Sequence, residues 1–184
     1  MRRIFNPKVN TIYVDLDDVL VDFNAFVFDN LGRYFDNHVT NLEENDNEMW
    51  LFLKNVSHMY LNLNPTPYAR ELWDHIVASG VNVEILTAIP RRHYIAEAEQ
   101  DKRDWVAKHF GADVKVNIGP YSADKWKWAK PSDILIDDRE DNIQQWINDG
   151  FGIGIIHYKN DPLCHIDTMN RVTAVVTEQS RFHN

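Results

Sequence analysis

Cysteine is almost absent from the 184-residue chain, since Cys164 is the only one. A single cysteine can form neither an internal disulfide nor a cysteine-based zinc cage, and such scarcity is typical of a reducing compartment. Long apolar runs are also missing: no stretch reaches the roughly 18 residues that a membrane span needs. The basic start MRRIFNPKVN lacks the apolar segment of a signal peptide. We therefore expect a soluble, cytoplasmic protein.

Positive charge is scarce relative to negative charge. Lys and Arg total 19 against 28 Asp and Glu, which gives a formal net charge of −9. An acidic chain of this kind argues against a long groove for duplex nucleic acid, although it leaves room for a local anion pocket. Hydrophobic residues make up 44% of the chain, enough to bury a sizeable core. The length suits one domain with a small insertion.

Five short apolar runs are typical of buried strands, because they are rich in β-branched residues and are bounded by Gly, Pro, Asp or Asn. They cover residues 11–16, 81–87, 113–118, 133–137 and 152–158. Helical patterns lie between them, over residues 67–79, 90–110 and 139–149, and a glycine follows each one. The tail over residues 168–180 is compatible with a helix or a strand, and we favour a helix.

Alternating strands and helices predict an α/β fold, a three-layer α/β/α Rossmann-like arrangement around a parallel sheet. Residues 20–64 are too long for one crossover and contain two aromatic-rich helical patterns. We interpret them as a small helical cap inserted after the first strand. Residues 1–19 and 65–184 then form the core domain.

Acidic residues cluster where the predicted strands end. Asp15 and Asp17 close the first strand in DLDDVL, and Asp137 and Asp138 close the fourth in ILIDDR. Thr87 closes the second strand, and the loop before the fourth contains a lysine in SADKWKWAKPSD. Ligands of open parallel sheets bind outside the carboxyl ends of the strands, so these groups are expected to converge.

Grouped carboxylates need a hard divalent cation, and Mg²⁺ prefers carboxylate, water and phosphate oxygens as ligands. With Mg²⁺ and Lys125 in place, a phosphate could enter a locally positive pocket. One carboxylate could then attack phosphorus and form an acyl phosphate, while a second, two residues further on, could act as acid and base.

These four elements (DLDDVL, LTA, the loop lysine and ILIDDR) resemble the signatures of the haloacid dehalogenase superfamily of phosphatases. The resemblance covers residues from about 11 to 142, and among its subgroups the 5′(3′)-deoxyribonucleotidases are the most similar. It implies that Asp15 is the nucleophile and a metal ligand. It implies that Asp17 is the general acid and base, with its backbone carbonyl on Mg²⁺, and that Thr87 holds a phosphate oxygen.

The same resemblance assigns the remaining polar groups. Lys125 would neutralise the phosphoryl oxygens and hold the nucleophile, although Lys127 and Lys130 are close neighbours and stay open as alternatives. Asp137 would ligate Mg²⁺, with Asp138 in its outer shell or on the lysine. Asp18 occupies a position where relatives often carry glycine. We expect it to be structural, with its side chain towards solvent.

The resemblance also implies that the cap roofs the site and holds the nucleobase. Phe23 and Trp50 are the candidate substrate contacts from the cap, although most cap aromatics are expected to form its own core. Ala88 could supply a backbone N–H to phosphate. Arg91, near the start of a predicted helix, could reach the substrate, and a solvated helix face is the competing interpretation.

The expected protein is a Mg²⁺-dependent phosphomonoesterase for nucleoside monophosphates, with deoxynucleotides favoured by the resemblance. One alternative is a phosphatase for another small metabolite or for a nucleic-acid 3′-phosphate, and the acidic net charge argues against the polymer. A non-catalytic metal- or nucleotide-binding module on the same fold is another. Homodimers are frequent among the relatives, and the sequence leaves the oligomeric state open.

Overall fold

A parallel sheet of five strands forms the centre of the protein in a computed structural model that describes residues 8–35, 46–90, 95–119 and 122–181. The strands are β1 (Thr11–Val14), β2 (Asn82–Ala88), β3 (Val116–Gly119), β4 (Ile134–Asp137) and β5 (Ile153–Ile156). Their order in the sheet is β3-β2-β1-β4-β5. The predicted α/β fold with a parallel sheet is confirmed, and each predicted strand is present with bounds shifted by a few residues.

The register of the central strands determines which residues meet at the carboxyl edge. Val14 at the end of β1 lies opposite Ile85 of β2 and Ile136 of β4. The chain leaves β1 at the next residue, Asp15, whose N–H donates to the carbonyl of Ile136 at 2.9 Å. The side chains that follow β1 and β4 therefore emerge at the same place.

Six α-helices surround the sheet in the described part of the chain. They are α1 (Phe23–Leu31), α2 (Asp46–Leu53), α3 (Ala69–Ala78), α4 (Ala98–His109), α5 (Glu140–Asn148) and α6 (Cys164–Arg181). The predicted helix over 90–110 corresponds to α4, which begins later than expected, and residues 91–94 lie outside the described ranges. The tail is helical, as favoured. None of the described helices has the length and apolar character of a membrane span.

Side chains of β1 alternate between two apolar clusters, one on each face of the sheet. Ile12 and Val14 join the larger cluster, whereas Tyr13 joins a smaller one with Trp146 of α5. This two-residue period is the one that a strand buried on both faces requires. The sheet is thus covered on both sides, which makes three layers.

The segment between β1 and β2 holds α1, α2, a short 3₁₀ helix (Tyr60–Asn62) and α3. Its apolar side chains Val27, Met49, Leu53 and Met59 belong to the same cluster as the sheet residues on that face. The helices after β1 are therefore anchored on the common core. The division into a core domain and a cap over residues 20–64 stays a prediction.

Candidate active site

Three carboxylates meet at the carboxyl edge of the sheet, where β1 and β4 end. Asp15, Asp137 and Asp138 each offer an oxygen atom, and these atoms lie within 4.8 Å of one another. Asp137 is 0% exposed and Asp15 is 5% exposed. Three acids in so small a volume repel one another unless cations compensate them.

Lys125 is one of those cations. It lies in the 3₁₀ segment Ser122–Trp128, and its Nζ is 2.8 Å from Asp15 Oδ2 and 2.6 Å from Asp137 Oδ2. Burial alone would lower the pKa of Lys125, but Asp137 and Asp15 raise it above its ordinary value, so the ammonium stays charged. Lys127 instead pairs with Asp124 at the surface, and Lys130 is exposed.

Asp137 is surrounded by hydrogen-bond donors. Besides Lys125, it accepts from the backbone N–H of Arg139 at 2.9 Å, and Asn142 Nδ2 lies 3.0 Å from each of its oxygens. Burial raises the pKa of Asp137 to about 6, although Lys125 opposes the shift. Asn142, on the first turn of α5, contacts the site although no sequence motif marks it.

A second buried lysine, Lys102 of α4, occupies the other side of the site. Its Nζ is 2.7 Å from Asp17 Oδ2, 2.9 Å from Thr87 Oγ1 and 2.8 Å from the carbonyl oxygen of Ala88. The same ammonium lies 4.5 Å from the centroid of the Tyr60 ring. Lys102 thus joins the predicted acid, the predicted phosphate hydroxyl and the end of β2.

Only one of the two carboxylate oxygens of Asp17 accepts a hydrogen bond from a described side chain. Its Oδ2 accepts from Lys102, whereas its buried Oδ1 has no hydrogen-bond partner among the described residues. Burial raises the pKa of Asp17 despite the opposing effect of Lys102, and Asp15 raises it further. A carboxyl group with one oxygen that lacks a described partner, two residues after the predicted nucleophile Asp15, is suited to carry a proton.

A third lysine, Lys159, follows β5 and joins two further acids. Its Nζ is 2.8 Å from Asp18 Oδ2 and 2.7 Å from Asp138 Oδ2. Asp18 is 6% exposed, so the expectation that its side chain points to solvent is wrong. Instead, the carboxylate of Asp18 accepts a hydrogen bond from Lys159. Burial raises the pKa of Asp138 to about 6 although Lys159 opposes the shift.

The donor set fits a divalent cation. Each lysine contacts at least one of the five aspartates, and the described part of the site holds two more carboxylates than ammonium groups: Asp15, Asp17, Asp18, Asp137 and Asp138 against Lys102, Lys125 and Lys159. A dication would balance that excess, and carboxylate oxygens are the ligands that Mg²⁺ prefers.

The predicted substrate contacts are spread over several environments. Phe23 is buried and stacks on Tyr60 with ring centroids 6.1 Å apart, and Trp50 packs against the same apolar cluster. The carbonyl of Ala88 accepts from Lys102. Arg91 lies outside the described residues. Their contacts with substrate stay predictions.

The class of protein is a haloacid dehalogenase-like hydrolase of phosphoric monoesters, as the match to a family model shows. The family model described as 5′ nucleotidase, deoxy (pyrimidine), cytosolic type C protein matches residues 8–178. The chain belongs to this family. The resemblance seen in the sequence is therefore confirmed.

Two solved structures are similar to this chain. One is a putative haloacid dehalogenase-like hydrolase from Burkholderia xenovorans LB400, with 13% identity and a TM-score of 0.46, over 85% of this chain and 87% of that chain. The other is a putative beta-phosphoglucomutase from Thermotoga maritima, with 16% identity and a TM-score of 0.47. The match covers 92% of this chain and 99% of that chain. Comparison with curated protein sequences finds no match.

Proposed function

We propose that this protein is a Mg²⁺-dependent phosphomonoesterase that forms an aspartyl phosphate on Asp15. Its substrate is a nucleoside monophosphate, with deoxynucleotides preferred, and it works in the cytoplasm. The observation that carries the proposal is the position of Lys125, whose ammonium joins the acid after β1 to the acid at the end of β4. A nucleophilic carboxylate fixed against a permanent cation is what phosphoryl transfer needs.

In the first half-reaction an oxygen of Asp15 attacks phosphorus, and the bond from phosphorus to the ester oxygen breaks. The departing alkoxide takes a proton from the carboxyl group of Asp17, so the alcohol leaves neutral. The unpartnered Oδ1 of Asp17 is the oxygen that would carry this proton, since Lys102 holds Oδ2. Asp15 is left as an acyl phosphate.

In the second half-reaction a water molecule attacks phosphorus, and Asp17, now a carboxylate, accepts the proton of that water. The bond between phosphorus and the Asp15 oxygen breaks, which releases inorganic phosphate and restores both aspartates. Lys125 compensates charge on the phosphoryl oxygens throughout, and we assign their remaining hydrogen bonds to Thr87 and the backbone N–H of Ala88, the last two residues of β2.

Bound Mg²⁺ would neutralise phosphoryl charge and orient the phosphate. The family resemblance implies that Asp15, the Asp17 carbonyl and Asp137 are its ligands, with Asp138 in the outer shell or on the lysine. One oxygen of each of Asp15, Asp137 and Asp138 lies within 4.8 Å of the others, so Asp138 is close enough to share a cation with the two acids. We therefore add Asp138 to Asp15 and Asp137 as a candidate direct ligand, and Asp137 also fixes Lys125 through its Oδ2.

The substrate class is supported by the family, whose description names a 5′ nucleotidase for pyrimidine deoxynucleotides. The cytosolic type in the same description supports the location. The formal net charge of −9 favours a small substrate over a 3′-phosphate on a nucleic-acid polymer.

The test compares wild type with Asp15→Asn on deoxynucleoside and ribonucleoside monophosphates, sugar phosphates and a 3′-phosphorylated oligonucleotide. We expect Mg²⁺-dependent release of phosphate, highest with deoxynucleotides, and a loss of about three orders of magnitude or more in kcat for Asp15→Asn. Circular dichroism checks that the variant is folded. Near-wild-type turnover in a pure, folded variant contradicts the mechanism, and equal rates on sugar phosphates contradict the substrate class.

A further inference from the structure

The contact of Lys159 with two buried acids has no place in the hydrolytic steps described above. Its ammonium lies 2.8 Å from Asp18 and 2.7 Å from Asp138, and the two acid side chains are 6% and 7% exposed. Asp138 belongs to the group of three carboxylates whose oxygens approach within 4.8 Å. Lys159 therefore places a positive charge beside the position where a divalent cation would bind.

The side chain of Asp18 is fixed in the orientation that contacts Lys159. Its φ is +58°, a left-handed conformation in which glycine costs less than other residues. Its Oδ1 accepts from the backbone N–H of Asn24 at 2.8 Å, which leaves Oδ2 directed at Lys159. The chain thus tolerates an unfavourable backbone conformation at a position whose side chain fixes the ammonium.

We propose that Lys159 is a positioning residue that sets the charge of the site, weakening the binding of the divalent cation and strengthening that of the anionic substrate. Asp18 has the opposite effect on the cation, because it compensates part of the lysine charge. This inference rests on the metal site of the proposed function. Its basis is charge at short range: a unit charge a few ångströms from a dication changes binding by about tenfold even at the dielectric constant of water.

The two single substitutions should therefore act in opposite directions. Lys159→Met removes a positive charge and should tighten Mg²⁺ binding by about tenfold, while raising KM for a phosphate ester. Asp18→Asn removes a negative charge and should weaken Mg²⁺ binding by about tenfold. The double variant removes one charge of each sign, so its affinity should return to within about threefold of the wild-type value.

A merely structural role predicts a different pattern. If Lys159 and Asp18 only hold Asp138 in place, each single variant misplaces a ligand and both weaken binding, and the double variant is no better. Lys159 also lines a cavity of about 480 Å³ together with Asp18, so solvent can reach the Asp18 carboxylate once the ammonium is removed. This accessibility favours a folded Lys159→Met variant.

The experiment is calorimetric titration of MgCl₂ into the full chain without substrate, with Lys127→Met as the control. Lys127 is 57% exposed, pairs with Asp124 and should leave Mg²⁺ affinity unchanged when replaced. Weaker binding by Lys159→Met overturns the inference. If that variant does not fold, the comparison of Asp18→Asn with the double variant decides, and failure of the double variant to recover affinity overturns the inference.

The same titration separates this inference from the proposed function. A wild-type chain that binds no Mg²⁺ overturns the metal site and the inference with it. If the wild-type chain binds Mg²⁺ but Lys159→Met does not bind it more tightly and Asp18→Asn does not bind it more weakly, only the inference is overturned. The KM for p-nitrophenyl phosphate gives the second readout, which should rise in Lys159→Met and stay at the wild-type value in Lys127→Met.

Discussion

Lys125 is bound to Asp15 at 2.8 Å and to Asp137 at 2.6 Å, and all three side chains are buried. Lys125→Met would leave two carboxylates of the core without this cation. We expect the free energy of unfolding, measured by urea denaturation with a chelator present, to fall by about 3–5 kcal/mol, the typical effect of breaking a buried ion pair. Phosphatase activity should be lost as well, since the proposed nucleophile Asp15 is no longer held.

Lys127→Met is the matched control for this prediction. Lys127 is two residues away, in the same 3₁₀ segment, but it is exposed and pairs with Asp124. Its replacement should change the free energy of unfolding by less than about 0.5 kcal/mol and leave turnover intact. If Lys127→Met inactivated the enzyme and Lys125→Met did not, the lysine that binds phosphate would be Lys127 and not Lys125.

Lys102 gives a prediction about the leaving group. Lys102→Met removes the donor that holds Asp17 Oδ2 and Thr87 Oγ1, so protonation of the leaving oxygen should become inefficient. We expect kcat/KM on a nucleoside monophosphate, which reports formation of the acyl phosphate, to fall by about 10²–10⁴, the range in which positioned acids contribute. The decrease in kcat/KM on p-nitrophenyl phosphate should be much smaller, because a nitrophenolate leaves without a proton.

The comparison of the two substrates is the readout for Lys102. An equal loss of kcat/KM on both would show that the variant damages the phosphate site generally rather than protonation of the leaving group. Arg103→Met, next to it on α4, is the control, since Arg103 contacts Glu99 and the carbonyl of Val116 away from the acids. It should leave the ratio of the two rates unchanged.

The acids and Lys125 could be predicted from the sequence because their signals are local. An apolar strand followed at once by Asp15, and another that ends in Asp137, are visible in short windows, and parallel strands bring their carboxyl ends together. Lys125 is harder to assign from the sequence, because two other lysines, Lys127 and Lys130, follow it within five residues. Only burial separates them, and burial depends on how the 3₁₀ segment packs.

Lys102 and Lys159 could not be predicted, because their partners are remote in the sequence. Lys102 contacts Asp17 across 85 positions, and Lys159 contacts Asp18 across 141. A lysine on a charged amphipathic helix is normally solvated. Which face of α4 turns towards the sheet is decided by tertiary packing, and the loop after β5 carries no periodic pattern at all.

Mg²⁺ should stabilise the fold as well as activate the enzyme. A ligand that binds only the native state at about 100 times its Kd adds about 2.7 kcal/mol to the free energy of unfolding. We therefore expect a higher Tm by calorimetry in Mg²⁺ than in a chelator. Asp138→Asn should remove most of that difference because it removes a proposed ligand.

Asp124→Asn is the control for the metal measurement, since Asp124 pairs with Lys127 outside the carboxylate group. Its Tm should rise in Mg²⁺ as much as that of the wild type. A wild-type Tm that is the same in Mg²⁺ and in the chelator, together with full activity in the chelator, would contradict the metal requirement.

His157 provides a pH dependence of stability. Its ring lies between Thr168 Oγ1 at 2.9 Å and Cys164 Sγ at 3.3 Å, and burial, with a smaller effect of His165, lowers the pKa of His157 to about 4. In the unfolded chain the histidine pKa is about 6.5. Between these values the unfolded state binds the proton and the folded state does not, so stability is lost as the pH falls from about 6.5 towards 4.

The expected loss between pH 7 and pH 5 is about 2 kcal/mol from this residue alone. His157→Gln keeps a side chain that can hydrogen-bond Thr168 but cannot take up a proton at these pH values. Urea denaturation of both proteins at the two pH values measures the effect, and the wild type should lose about 2 kcal/mol more than the variant. An equal loss in the two proteins would mean that carboxylates, not this buried imidazole, set the acid sensitivity of the fold.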